Sequence, residues 1–289
     1  MEQHGGAAGL LRKAWRLADP ILALNVPRLA SALTYYTVLS LMPSLLVMVA
    51  LLGVVGLSPH TLQSLIDTAG ELGATWAVEF LDDAVSGIIL SHSSTLALVV
   101  GALLALWAAS GYVGCFMWTA DVINEAKTMR PIWRDLPVRI PLAVGLLALL
   151  TLTAVALTMI GPVSAAIEEA TGIGSGPLHV WSWVKWPLLF ALGLLMVGLL
   201  FRYAPSRPRK GLVPLLGGAL STLVAWVVAT AVFNFYLTHW ASYDRVYGAL
   251  ATAIAFLVWA WVLNIALLGG AIVDREIRRR RAAAGTRGA

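Results

Sequence analysis

The run Leu29 to Leu57, LASALTYYTVLSLMPSLLVMVALLGVVGL, carries no ionisable side chain other than Tyr35 and Tyr36. At 1.5 Å per residue it makes roughly 43 Å of helix, well past the ~30 Å of hydrocarbon in a bilayer. The stretch predicts a transmembrane helix, tilted or bent to fit. Pro43 lacks the N–H that would bond the carbonyl of Leu39 and disfavours helical dihedrals at Met42, so a bend in mid-span is expected. Tyr36, Ser40 and Ser44 recur every four residues, with Thr37 beside them, and mark a polar stripe on one face. A buried packing face and a solute-contacting face both fit such a stripe.

The rest of the chain agrees with that first span. With 59% hydrophobic residues, 12% charged ones and 12 Trp in 289 positions, the composition is that of an all-α polytopic membrane protein and leaves no large soluble domain. The formal charge of +5 sits in short flanks of apolar runs, which fits anionic lipid head groups and excludes a nucleic-acid surface. The single Cys115 lies inside a span and is read as packing, with no disulfide framework or thiolate metal cluster.

Six spans are read at about 29–57, 95–118, 140–162, 181–201, 212–237 and 248–273. Residues 1–28 form an N-terminal tail and an interfacial helix, in which Leu10, Leu11, Ala14, Trp15, Leu17 and Ala18 oppose Arg12, Lys13 and Arg16. A cleaved signal peptide is not expected, because the first apolar stretch is too long and no small-residue cleavage site follows it. The membrane domain covers 29–274, and 275–289 is a basic cytoplasmic tail. Between the first two spans, Leu62, Leu65, Ile66 and Ala69, then Phe80, Leu81, Ala84, Val85 and Ile88, predict two short amphipathic helices on the outer face.

Counting basic residues orients the spans. Of the 20 Lys and Arg, 18 fall at the termini and in the second and fourth loops, and only Lys185 and Arg245 in the others. Both termini are therefore placed in the cytoplasm. An inverted repeat of three spans is compatible with this parity, but the halves share no residue-level similarity.

The run Ala32-Leu33-Thr34-Tyr35-Tyr36 with Ser40 and Pro43 is followed by Asn124, by Tyr203 with Pro205, and by Gly218-Ala219. Near the end come Tyr247-Gly248 and Trp259. Over roughly Arg28 to Glu276 this set resembles the YihY/virulence factor BrkB family of bacterial integral membrane proteins. The resemblance implies a six-span protein of the cytoplasmic membrane with a role in the cell envelope or in transport. Members of that family often end the last span in Gly-Ala-Glu. Here Gly270-Ala271 is followed by Ile272, so no role of that glutamate carries over.

The family has also carried a ribonuclease name, which the residues can be tested against. Phosphodiester hydrolysis calls for a metal cage or a paired acid and base on the RNA side. His60, His92, His179 and His239 fall on the outer side, leaving only His4 within. The inner acids Asp121, Glu125 and Asp135 alternate with Lys127, Arg130 and Arg134, which reads as a solvated helical hairpin. No phosphate-binding loop, His-Glu-x-x-His or Gly-x-Ser-x-Gly occurs. The reading is of a non-enzyme with no cofactor and no metal site.

Two further features carry expectations. Arg275, Arg278, Arg279, Arg280 and Arg281 predict contact with anionic lipid head groups on the cytoplasmic side, and also serve as a topogenic stop. Counted from span midpoints, Ser40, Ser110, Ser221 and Asn264 lie in one layer roughly 5 Å to the cytoplasmic side of the membrane centre, with Tyr36 one turn below. This polar layer is expected to be a solute-contacting constriction or a clasp, with no charged residue at its depth. Small-residue pairs such as Ser110 with Gly114, Gly217 with Ser221 and Gly248 with Thr252 permit close helix contact and leave a homo-oligomer open. The function read from these features is movement or accommodation of a solute or lipid across the membrane. The alternative is a closed structural or regulatory envelope protein acting through lipid or protein partners.

Overall fold

The computed structural model describes residues 24–54, 94–126, 132–158, 176–206, 212–240 and 249–285. Among the described residues there are six long helices and no strand: α1 (Val26–Val54), α2 (Ser94–Ile123), α3 (Ile132–Thr158), α4 (Gly176–Tyr203), α5 (Leu212–Trp240) and α6 (Ala249–Gly285). The expected N-terminal interfacial helix and the two amphipathic helices before α2 lie outside these residues, as do Tyr247 and Gly248. Five described stretches are long and apolar enough to cross a membrane: Leu103–Ile123, Trp133–Thr153, Trp186–Tyr203, Pro214–Tyr236 and Ile254–Ala284. α6 runs unbroken to Gly285, so the residues read as a basic tail continue the last helix over 275–285. Ala and Arg are good helix formers, and Arg278 and Arg280 pair with Asp274 and Glu276 one turn back.

Two compact units divide the chain. The first holds residues up to 35, 114–135 and 197 onward, and the second holds 36–113 and 136–196.

The first unit is built on a close crossing of α5 and α6. A Cβ added to Gly218 would come within 2.5 Å of Asp274 Cβ and 2.8 Å of the Gly270 carbonyl oxygen, so only glycine lets these backbones meet. Phe201 lies beside the crossing, fully buried, and stacks on buried Phe116 of α2 with centroids 6.1 Å apart. Trp226 Nε1 donates to the Leu263 carbonyl at 2.8 Å, and Trp261 Nε1 to the Pro27 carbonyl at 3.1 Å, joining α5 to α6 and α6 to the start of α1. The outside of this unit is apolar, with Val224, Val227, Val228 and Val232 exposed, while Thr34, Thr119, Asp121, Thr222, Asn264 and Asp274 are buried. Polar groups inside and large apolar ones outside are the arrangement a hydrocarbon solvent imposes.

In the second unit, α1 closes on α2 where the Tyr36 ring packs against Gly111: a Cβ there would stand 2.8 Å from the ring. Leu142, Ala143 and Leu146 of α3 are buried, and Ile140 and Val144 on its other side are exposed. Hydroxyls in the apolar part of α3 bond their own helix, Thr151 to Leu147 and Thr153 to Leu149.

Candidate functional site

The cytoplasmic expectation for the α2 end was a solvated hairpin, and the structure differs. Asp121, in the last turn of α2, is only 6% exposed. Its Oδ1 accepts from the Ser206 amide at 2.8 Å and its Oδ2 from the Ser206 hydroxyl. A carboxylate in this position ties the end of α2 to the chain leaving α4, where Pro205 is also buried. The partner lies 85 residues away, so charge patterning along the α2 end could not reveal it.

Helix α2 ends in a hydrogen-bonded C-cap. Ala126 N donates to the Asp121 carbonyl at 3.0 Å and Glu125 N to that of Val122 at 3.1 Å, the pair of bonds made when the residue after the cap turns left-handed. That residue is Glu125, with φ 52°, where glycine is usual. Two arginines of α6 hold it. Arg275, 12% exposed, donates through Nη2 to Glu125 Oε1 and through Nη1 to the Ile123 carbonyl at 2.5 Å, while Arg279 Nη2 reaches Oε2 at 3.1 Å. A cation on the last carbonyls of a helix also meets its negative dipole end. The hydrogen bond from Arg275, then its charge, with a smaller contribution from Arg279, holds the Glu125 carboxyl below its ordinary value.

One residue before Arg275, Asp274 is fully buried against Gly218 and is bonded by Arg278. The sequence reading missed both buried carboxylates. For Asp274 the available signal was its four-residue spacing to Arg278 directly after the Gly269-Gly270 pair. The basic cluster is thus divided: Arg275, Arg278, Arg279 and Arg280 each meet a carboxylate of the protein, and Arg281 is exposed.

The residues of the polar layer fall in both units. In the first, Asn264 is 5% exposed and its Nδ2 donates to Thr34 Oγ1 at 3.2 Å and to the Ala260 carbonyl at 3.0 Å. Thr34, a member of the Ala-Leu-Thr-Tyr-Tyr run, was not singled out as an Asn264 partner. Ser221 Oγ donates to the Gly218 carbonyl at 2.8 Å. In the second unit Ser40 Oγ donates to the Thr37 carbonyl at 3.0 Å. In the same unit Arg139 Nε donates to the Ser110 carbonyl at 2.5 Å, so an arginine side chain touches the backbone of one layer residue. A depth counted along the backbone leaves out the reach of an arginine side chain. Of the other motif residues, Asn124 Nδ2 bonds the Ala120 carbonyl, Trp259 Nε1 lies 3.4 Å from Thr230 Oγ1, and Tyr35 is exposed. Pro43 sits inside unbroken α1. The closest backbone approach uses Gly218 and Thr222 with Gly270, and Gly217, one residue and so about 100° around α5, faces the Ile277 side chain of α6.

Among the described residues no three His, Cys, Asp or Glu side chains converge as a metal site requires. No solved structure matches this chain. A ribonuclease-like protein, YfkH, of Bacillus subtilis is 22% identical over 87% of this chain and 90% of its own length. UPF0761 membrane proteins of Aromatoleum aromaticum and Neisseria meningitidis serogroup C are 28% and 25% identical over 90% and 95% of this chain. The aligned regions take up 62% and 65% of those two relatives, which are longer proteins. Residues 20–289 match the sequence profile of the virulence factor BrkB family, and the chain is a multi-pass membrane protein belonging to that family.

Proposed function

We propose that this protein moves or accommodates a solute or lipid across the cytoplasmic membrane, with both termini in the cytoplasm and no catalytic step. The observation that carries the reading is the Asn264–Thr34 pair, buried about 22 Å from the start of α6 at 1.5 Å per residue. A side-chain amide at that depth must have a polar partner, and such groups mark the inward face of membrane bundles. The 18 to 2 division of basic residues supports the orientation. Against a nuclease role, Asp121 and Glu125 are engaged by Ser206, Arg275 and Arg279. A second reading, a closed structural protein, is favoured by one observation: the Thr34, Thr119 and Thr222 hydroxyls already bond carbonyls of their own helices.

Reconstitution separates the two. Vesicles bearing the protein are expected to dissipate a small-solute gradient, read by light scattering, or to expose a fluorescent inner-leaflet phospholipid to dithionite, and Asn264→Leu should slow whichever occurs. If neither gradient moves, the structural reading stands instead. Orientation is tested in a Cys115→Ala background: cysteines at Ser91 and Ser242 should react with an impermeant thiol reagent added outside, and one at Thr128 should not. RNA incubated with purified protein should stay intact, and cleavage abolished by Asp121→Asn with Glu125→Gln would refute the non-enzymatic role.

A further inference from the structure

Arg139 lies within the apolar stretch Trp133–Thr153, about 10 Å along α3 from its first residue. It shares a helical face with buried Leu142, Ala143 and Leu146 and is itself half-buried, so the side chain is directed into protein. Its Nε donates to the Ser110 carbonyl. That oxygen is neutral, and it already belongs to the hydrogen-bond ladder of α2, so the contact positions the guanidinium without cancelling its charge. Among the described residues no carboxylate pairs with Arg139, whereas Arg275, Arg278, Arg279 and Arg280 of α6 all have one. On the next residue of α2, Gly111, the Tyr36 ring closes α1 against the same turn. The arginine therefore stands beside a helix crossing.

A half-buried cation inside an apolar stretch calls for an anion. With Nε held by Ser110, the two Nη groups keep four N–H donors in one plane, a fork that matches two oxygens of an oxyanion. Phosphate is the oxyanion that the nearby lipid surface supplies. We propose that Arg139 is a binding site for a phosphate oxyanion, presented by an anionic phospholipid or as the free ion. The site belongs to the second unit, and its occupancy requires no transport, so it stands or falls apart from the function proposed above.

The test uses the full chain in detergent, titrated with phosphatidylglycerol or with phosphatidylcholine and read by native mass spectrometry. Thermal unfolding with and without inorganic phosphate forms a separate arm. If the lipid is the source, wild-type protein retains one phosphatidylglycerol about tenfold more tightly than phosphatidylcholine, and Arg139→Gln removes that preference. Arg139→Lys, which keeps the charge but not the fork, should fall between them. Arg202→Gln, at an exposed arginine ending α4, should behave as wild type. If the free ion is the source, inorganic phosphate raises the unfolding midpoint of wild type and not of Arg139→Gln, with no lipid preference. A wild-type protein that shows neither effect overturns the proposal, whatever the variants do. So does a lipid preference or phosphate shift that survives intact in both Arg139 variants.

Discussion

The two units treat charge differently. In the first, Asp274 meets Arg278, Glu125 meets Arg275 and Arg279, and Asp121 takes two hydrogen bonds from Ser206. In the second, Arg139 rests on a backbone carbonyl. Asp121 with Ser206 and Glu125 with Arg275 and Arg279 join helix ends that are far apart in sequence, while Asp274 and Arg278 pair within α6. The second unit leaves a charge directed at something other than a protein carboxylate. Side chains of one type, the four arginines named, are thus divided between holding the fold and being available to a ligand.

That contrast is broken most severely at the α5–α6 crossing. Gly218→Leu would drive a side chain into Asp274 Cβ and the Gly270 carbonyl, neither of which can move without shifting a helix. Overpacking of this kind costs about 1–3 kcal/mol where the backbone can give, and more where it cannot. The variant is expected to lose at least that much stability in detergent, or to yield no monodisperse protein. Gly217→Ala is the control, since its new Cβ meets only the Ile277 Cδ1, the far end of a flexible side chain. Its unfolding midpoint should remain near wild type.

Next in size is the pair beside it. Asp274→Leu leaves Arg278 at a part-buried position without this carboxylate, and breaking a buried ion pair from one side costs about 3–5 kcal/mol. Because Arg278 retains some exposure, the lower end of that range is expected. Adding Arg278→Leu should restore much of the loss, because replacing both charges by apolar groups removes the desolvation penalty along with the attraction. A double-mutant cycle on thermal unfolding measures this, and strictly additive losses would show that the two side chains do not act as a pair.

Asn264→Leu is expected to do less to stability than to function. Hydrogen bonds between membrane helices average about 0.6 kcal/mol in double-mutant cycles, so losing the Thr34 contact is tolerable to the fold. In the vesicle assays the same change should slow movement far more than Leu257→Ile, at an exposed position of the same helix. Equal activity of the two variants would remove Asn264 from any solute path and strengthen the reading of unit one as purely structural.

How much of this was legible depends on the range of each signal. Helix class and the apolar runs follow from contiguous composition, and the burial of Asn264 follows from the cost of an amide in hydrocarbon. Asp121 was misread because its partner Ser206 is distant in sequence, and a local alternation of acids and bases looks the same whether the acid is solvated or captured. Arg139 was counted only as a topogenic flank, since a count along the chain does not show that its side chain turns onto the Ser110 carbonyl of α2. Among the small residues, four-residue spacing identified the region of α5 that meets α6 but not Gly218 as the point of closest backbone approach. One residue rotates the contact by about 100°, and only packing against α6 decides which glycine is used.

The smallest expected effect is at Glu125, where two influences oppose each other. Its left-handed backbone disfavours any residue but glycine, and its contacts with Arg275 and Arg279 favour the acid. Glu125→Ala keeps the backbone conflict and loses both contacts, so it should be the least stable of the three single changes. Glu125→Gly loses the contacts but removes the conflict, and should lie above Glu125→Ala. Glu125→Gln keeps a hydrogen-bond acceptor without the charge and should lie between wild type and Glu125→Ala. The carboxyl is held below its ordinary value, chiefly by the Arg275 hydrogen bond and charge. A depressed acid contributes its stability fully above the unfolded glutamate value of about 4.3 and loses it as pH falls through the lowered folded value. The gap between wild type and Glu125→Gln should accordingly be constant from neutral pH down to that range and close only in stronger acid. Unfolding midpoints measured across pH for both proteins check this, and a gap that instead widened on acidification would show that the two arginines do not stabilise the ionised form.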